Sequence, residues 1–457
     1  MAEAAAAPRV LLACLPATGL INPLLAVAAE LSRRDVADLW FATTDEARAG
    51  VEGVGGPRRP AFVSLGRFHE DWPDIWNEAD LGRMSRGDRL RALRHFLDLT
   101  IDHEFDRRQY RRMLEVIDEV RPDLMVVDAN SAWALDAAQT RGVPFVLSMP
   151  MPASSVFLDR LPQDYPTPFS GLPREMDAAQ LRQNRKFRRG VKLTFFRPKT
   201  LRSMLNAVNQ RKKAGIVNVN GTPSKYADAA RAIIGYSTFD VEYTFPAVPE
   251  HLTMVGHAVT AEPDKRLPGT ELQEWLDAHE SVVYIGFGSI MRLTAGQVRG
   301  VLDACRQLGE RHAVLWKLPK SQRGPLPPDA EIPASVRFED WVPSQTEVLA
   351  HPHVRMFFHH GGGNAVHEAL YYDRPQLVMP FWTDCYDLAA RVVDRGVGLE
   401  VPNVESPDSS QIAASLLRVL TEDRFRVRAA ELGARIRAAG GPPAAVDVVE
   451  KALTANR

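Results

Sequence analysis

Short apolar runs alternate with longer stretches of helical periodicity along nearly the whole chain. Residues 9–15 (Arg-Val-Leu-Leu-Ala-Cys-Leu) and 123–128 (Asp-Leu-Met-Val-Val-Asp) are apolar at consecutive rather than alternate positions. A strand covered on both faces has that pattern, as in parallel sheets sandwiched between helices. Residues 142–147 repeat it, and Asn22-Pro23 ahead of residues 24–31 offers a cap and a first-turn proline for a helix. A second series starts at residues 281–284, runs into Gly286-Phe287-Gly288-Ser289 and continues with helical spacing over 295–308. Residues 354–358 add another buried strand, and the prolines of 245–251 (Phe-Pro-Ala-Val-Pro-Glu-His) mark a linker between the series. The pattern predicts an α/β protein of two Rossmann-like, doubly wound parallel-sheet domains facing a cleft. The N-terminal domain is expected over 1–245, the linker over 246–260 and the C-terminal domain over 261–457, with the last helix packing back on the first domain.

Composition narrows the function classes. Lys plus Arg number 56 against 57 Asp plus Glu, a net charge of −1, so nothing draws the whole chain electrostatically to nucleic acid. Three widely spaced cysteines, Cys14, Cys305 and Cys385, exclude a disulfide framework and a cysteine zinc cage and suit a reducing compartment. The apolar stretch 10–27 is broken by Pro16, Gly19 and Pro23, and no apolar run reaches the ~18 residues that a bilayer span needs. A cytoplasmic protein without a transmembrane segment is expected. Residues 182–213 stand apart: they are strongly basic, with Phe187, Phe195 and Phe196 interleaved. Such a stretch either lies on an anionic membrane or forms a solvated helical face beside a substrate pocket. The neutral charge of the whole chain favours the solvated face.

The densest chemistry lies between Trp341 and Asp387. Trp341-Val342-Pro343-Ser344-Gln345 precedes His359-His360-Gly361-Gly362-Gly363-Asn364-Ala365-Val366-His367-Glu368, and Pro375, Pro380 and Asp384-Cys385-Tyr386-Asp387 follow. The buried strand thus runs into His360 and three glycines, with a helix starting at Asn364. Glycines let backbone N–H groups approach an anion, and a helix N-terminus adds unpaired donors and partial positive charge. The arrangement suits a phosphate. Glu368 falls one turn on, on the same helical face as Asn364, where its carboxylate can accept from a sugar diol. Trp341 offers a flat face for a base. The His359-His360 pair has no third residue at metal spacing, so no metal site is expected.

This stretch resembles the signature of the UDP-glycosyltransferase superfamily, inverting and metal-independent enzymes of GT-B fold. The likeness extends to residues 16–23, Asp128 and Gly286-Phe287-Gly288-Ser289, and the run Asp384-Cys385-Tyr386-Asp387 is most similar to fungal members. The resemblance implies a donor site in which Trp341 stacks on uracil and Gln345 contacts the base or ribose. His360, Asn364 and Ser289 would hold the diphosphate, with Gly362 and Ala365 at the helix start. Glu368 would bind the ribose hydroxyls, and Asp384 with Cys385 would meet the transferred sugar. It further implies a UDP-sugar, UDP-glucose foremost, as co-substrate, a small apolar acceptor, no resident cofactor, and a monomer or weak dimer.

Two departures bear on the chemistry. Family members usually carry Gly-His-Ile-Asn-Pro in the first loop, where the histidine deprotonates the acceptor. This chain has Gly19-Leu20-Ile21-Asn22-Pro23, and Leu20 cannot take a proton. Asp128, which matches the aspartate that orients that histidine, remains as the catalytic candidate, acting through a water. His69, His95 and His103 are candidate replacement bases. Cys385 stands where the family usually has glutamine and is a weaker hydrogen-bonding group, with Tyr386 or Asp387 as candidates to compensate. Losing the base costs about 10²–10⁴ in rate on a poorly acidic hydroxyl, and much less on a phenol or an amine. Two rival readings stay open: a catalytically silent UDP-sugar-binding partner, supported by Leu20, and an epimerase of the same fold, for which no acid/base pair is found.

Overall fold

The computed structural model describes residues 7–69, 76–84, 87–258, 267, 269–328 and 331–455. Among them the first sheet holds β1 (Arg9–Ala13), β2 (Asp38–Thr43), β3 (Ala61–Ser64), β4 (Leu124–Asp128), β5 (Phe145–Met149), β6 (Ala232–Gly235) and β7 (Leu252–Met254). The second holds β8 (Val282–Gly286), β9 (Ala313–Lys317), β10 (Val336–Glu339), β11 (Val354–His359), β12 (Gln376–Val378) and β13 (Gly398–Glu400). The spatial orders are β3-β2-β1-β4-β5-β6-β7 and β10-β9-β8-β11-β12-β13, with the strands of each sheet parallel. Each order reverses once, between β1 and β4 and between β8 and β11. Loops leaving the carboxyl ends of such strands diverge and open a crevice.

The consecutive apolar positions follow from two-sided burial. In β1, Leu11 and Ala13 enter the core on one face of the sheet while Val10 and Leu12 enter the core on the other; β4 does the same with Met125 and Val127 against Leu124 and Val126. Two local expectations are corrected. The first helix spans Thr18–Arg34 with Ala17 at its N-cap, so Asn22-Pro23 lies inside it rather than at its start. Pro23 leaves the carbonyl of Gly19, a residue of the first turn that lines the cleft, without its helical donor. The stretch 246–260 is more than a linker, because β7 pairs with β6 at the sheet edge. An edge strand of three residues is too short to leave a periodic signal.

The domains are tied together at several points. The helix Gly441–Thr454 crosses back: Ala445, Val446 and Val449 join Leu24 and Val27 in one core, and Arg34 reaches Asp447 at 2.6 Å. Buried Arg391 meets Glu242 at 3.0 Å across the boundary. Among the described residues no helix is long and apolar enough to cross a membrane.

Candidate functional site

A cleft of about 800 Å³ opens between the carboxyl ends of the two sheets, lined by segments after β1, β2, β3, β4, β7, β8, β10, β11 and β12 and by Lys317 at the end of β9. Its two walls touch directly: Thr18 Oγ1 and Ser289 Oγ share a hydrogen bond of 3.1 Å, and Asn364 Nδ2 donates to the Thr18 carbonyl at 3.2 Å.

The loop after β11 is built around two histidines with different tasks. His359 is fully buried; its Nδ1 accepts the Gly361 N–H at 3.0 Å, so its Nε2 donates to Gln376 at 2.9 Å. Burial holds its pKa down at about 3, and with both nitrogens used it shapes the loop and has no lone pair for a metal. His360 faces the cleft in a glycine cradle. A Cβ on Gly362 would stand 2.4 Å from its Nε2 and one on Gly288 2.9 Å from its Cε1; Gly288 also has φ +83°, so both positions need glycine. Its Nδ1 is buried without a partner, and burial, with Lys317 adding to it, lowers its pKa to about 4. At neutral pH the ring is therefore uncharged, with one N–H to give. The helix Gly363–Tyr371 begins beside it with Gly362 at the N-cap and no side-chain cap, which leaves its first N–H groups open to an anion.

One turn along, Glu368 anchors a polar network. Gln345 donates from Nε2 to Glu368 Oε2 at 2.6 Å, and its Oε1 accepts from Tyr284 Oη at 3.3 Å and from Lys317 Nζ at 3.4 Å. His257 Nε2 lies 3.9 Å from the other Glu368 oxygen. Trp341 is 61% exposed at the cleft rim, with the Lys317 ammonium 4.8 Å from its ring centroid on one side. So large an exposed aromatic leaves a face free for a planar group.

Ser289, Trp341, Gln345, His360, Gly362, Asn364, Ala365, Glu368, Asp384 and Cys385 all line this cleft. Asp384 accepts from the Thr383 hydroxyl at 2.9 Å, and burial raises its pKa. Tyr386 and Asp387, the candidates to compensate for Cys385, are corrected: neither lines the cleft. Asp387 instead accepts the backbone N–H groups of Phe169 and Gly171 at 2.6 and 2.9 Å, and Tyr386 Oη donates to the Phe381 carbonyl at 2.9 Å. The helix Thr383–Asp394 turns these two side chains towards the body of the protein.

Leu20 lines the opposite wall with Thr18, Gly19, Asn22, Trp76 and Phe96. Among the described residues, this first-domain wall up to Asn130 carries no titratable side chain. The histidines expected as replacement bases lie outside it: His95 pairs with Asp80 at 3.0 Å, His103 with Ser203 at 3.0 Å, and His69 does not line the cleft. Asp128 is likewise corrected. It ends β4 as expected, but its carboxyl is wholly buried, and the loop reaches the cleft through Asn130. Asp128 Oδ1 accepts the Asn130 N–H at 2.9 Å while Oδ2 has no partner, and burial lifts its pKa to about 7. Sequence reasoning missed His257 and Lys317. The first sits in the supposed linker; the second could have been suspected, since a lysine closing a buried strand sits where such sheets bind ligands.

Known proteins share this fold, and a family model covers most of the chain. The family model described as UDP-glucoronosyl and UDP-glucosyl transferase matches residues 89–436. Erythritol-mannosyl-transferase 1 of Mycosarcoma maydis is 23% identical over 97% of this chain and 91% of its own length. UDP-glucuronosyltransferase 2A3 of Cavia porcellus is 29% identical over 42% of this chain and 35% of its own. Among solved structures, the glycotransferase of kitacinnamycin superposes with a TM-score of 0.73 at 16% identity, covering 98% of this chain and 99% of that one. The calicheamicin glycosyltransferase CalG4 does so with a TM-score of 0.67 at 19% identity, covering 98% and 99%.

Proposed function

The chain belongs to the UDP-glucoronosyl and UDP-glucosyl transferase family, and on that premise we propose that it moves glucose from UDP-glucose to a small, largely apolar acceptor, inverting the anomeric centre without a metal ion. The observation that carries this reading is the asymmetry of the cleft. The second-domain side, with His257 beside it, gathers Lys317, His360, Glu368, Asp384 and an open helix N-terminus. The first-domain side offers Leu20, Trp76, Phe96 and uncharged polar groups.

In this reading uracil stacks on Trp341, and the ribose hydroxyls donate to Glu368, which Gln345 holds in place. The diphosphate meets His360, Ser289, Asn364 and the N–H groups from Gly362 to Ala365, where donors already point at the charge that develops as the glycosidic bond breaks. Asp384 accepts from a sugar hydroxyl, with Cys385 beside it. The acceptor nucleophile attacks the anomeric carbon from the first-domain side, in line with departing UDP, and its proton passes to solvent. No cleft-lining side chain from Ala17 to Asn130 can take the proton, and His257, which follows β7, lies beside Glu368, so the acceptors are groups that need little deprotonation: acidic phenols, carboxylic acids, thiols or amines.

Mass spectrometry of the full chain with UDP-glucose, a chelator and a mixed acceptor panel tests this. A mass increase of one hexose on phenols or amines is expected. Loss of activity in chelator, or undiminished UDP binding after His360→Ala together with Glu368→Ala, overturns it. Leu20 favours one other reading, a binding protein that holds a UDP-sugar without transferring it. That reading requires UDP binding with no product on any acceptor.

A further inference from the structure

The helices Ala178–Phe195 and Pro198–Lys213 lie on the first domain and contribute nothing to the cleft lining. The second buries none of its residues. It rests on the domain through polar contacts: Ser203 meets His103 at 3.0 Å, and Arg211 reaches buried Asp136 at 2.6 Å. Its apolar stripe, Leu201, Met204, Leu205 and Val208, follows helical spacing but turns outward; the first three are exposed, Leu205 at 56%. The preceding turn adds Leu193 and Phe196, 51% and 70% exposed. An ordinary surface helix is arranged the other way, apolar side in and polar side out.

The same face is unbalanced in charge. From residue 178 to residue 227 the chain has no Asp or Glu, although the whole chain has a net charge of −1. Arg197 and Arg211 find carboxylates in Asp98 and Asp136. Arg185, Lys186, Arg189, Lys192, Lys199 and Arg202 find none among the described residues. Exposed aliphatic and aromatic groups interleaved with unpaired cations on two consecutive helices suit a surface that is anionic outside and apolar beneath.

We propose that this face docks the protein on an anionic lipid surface. Leu193, Phe196, Leu201 and Leu205 enter the headgroup layer, and the unpaired lysines and arginines meet lipid phosphates. A nucleic-acid backbone would use the charges but leave Leu201 and Leu205 in water. The face also adjoins the cleft: Arg94, in the helix Arg89–Thr100, donates to Thr194 at 2.9 Å, and the same helix sends Phe96 into the first-domain wall. Docking would therefore set that wall beside the lipid. The docking itself does not depend on how the cleft is read.

Sedimentation of the full chain with vesicles of phosphatidylcholine mixed with phosphatidylglycerol, against phosphatidylcholine alone, tests it. Binding to the anionic vesicles is expected, weakening as salt is raised. The double variants Phe196→Asp/Leu205→Asp and Lys199→Glu/Arg202→Glu should each lower it by about 10-fold or more, with UDP binding and melting temperature unchanged. Absence of binding to anionic vesicles overturns the proposal. So does binding that Phe196→Asp/Leu205→Asp leaves intact, which is adsorption by charge alone. Tighter binding to polyuridylate or polyglutamate than to vesicles, or self-association that the same variants abolish, assigns the face to another partner and equally overturns it.

Discussion

Gln345 donates to Glu368 at 2.6 Å, and this bond joins two elements that line the cleft, the segment after β10 and the helix after β11. In the proposed reading Glu368 has two tasks on one carboxylate, accepting from the ligand and holding the amide that Tyr284 and Lys317 also grip.

Removing Glu368 should accordingly weaken UDP binding by more than one lost contact. A hydrogen bond to a charged group contributes about 1.5–3 kcal/mol, or about 10–150-fold in affinity. Glu368→Ala is expected to raise the dissociation constant for UDP by about 10-fold or more, with Gln345→Ala costing less. Titration calorimetry checks this, and a dissociation constant within a few-fold of wild type would show that the carboxylate holds no ribose.

Leu20→His restores the residue usual in the family at a position that already lines the cleft. The variant should speed transfer to aliphatic alcohols by about 10-fold or more and change phenols little, because general-base help matters most where the proton is hardest to lose. Comparable gains on both acceptor classes, or rapid wild-type turnover of simple alcohols, would contradict a base-free first-domain wall.

Asp128 makes a pH prediction with a definite sign. Its folded pKa of about 7 stands above the usual carboxyl value, so between roughly pH 4 and 7 the folded state holds a proton that the unfolded state has released. The stability this contributes is present at low pH and is lost as pH rises through 7. Asp128→Asn has no such slope and keeps an acceptor for the Asn130 N–H. Urea denaturation should therefore show the variant gaining on wild type from pH 5 to pH 8, by at most about 1.4 kcal/mol per pH unit. Turnover should stay within a few-fold, since the buried carboxyl does not reach the cleft; a large loss would return Asp128 to catalysis.

Arg391 is almost wholly buried, pairs with Glu242, donates to the Asp387 carbonyl at 2.9 Å and stacks over Tyr243 with its guanidinium carbon 4.3 Å from the ring centroid. Arg391→Ala leaves Glu242 charged and unpaired at the domain boundary, which costs about 3–5 kcal/mol. A fall in melting temperature is expected, with Glu242→Gln in the same background recovering part of it. An unchanged melting temperature would mean that the pair does not hold the domains together.

Much of this protein is legible in order along the chain. Consecutive apolar positions in β1, β4 and β8 announce strands covered on both faces, since a parallel sheet between helices buries both sides of its central strands. The run from Trp341 to Asp384 announces the polar wall of the cleft, because its parts sit at short, regular distances in sequence, after strand ends and at a helix start. The absence of a proton acceptor at Leu20 is equally a matter of residue identity. What the sequence could not supply is direction. Asp387 and Tyr386 stand next to Cys385 in the chain, yet their side chains serve the domain contact while Cys385 faces the cleft, because successive helical residues point about a quarter-turn or more apart. His257 and Lys317 reach the Glu368–Gln345 network from distant segments, and only packing brings them together. The outward stripe of Leu201, Met204 and Leu205 has the same spacing as a buried one. Periodicity shows that a helix has an apolar side, and the tertiary fold decides whether that side meets the core or the surroundings.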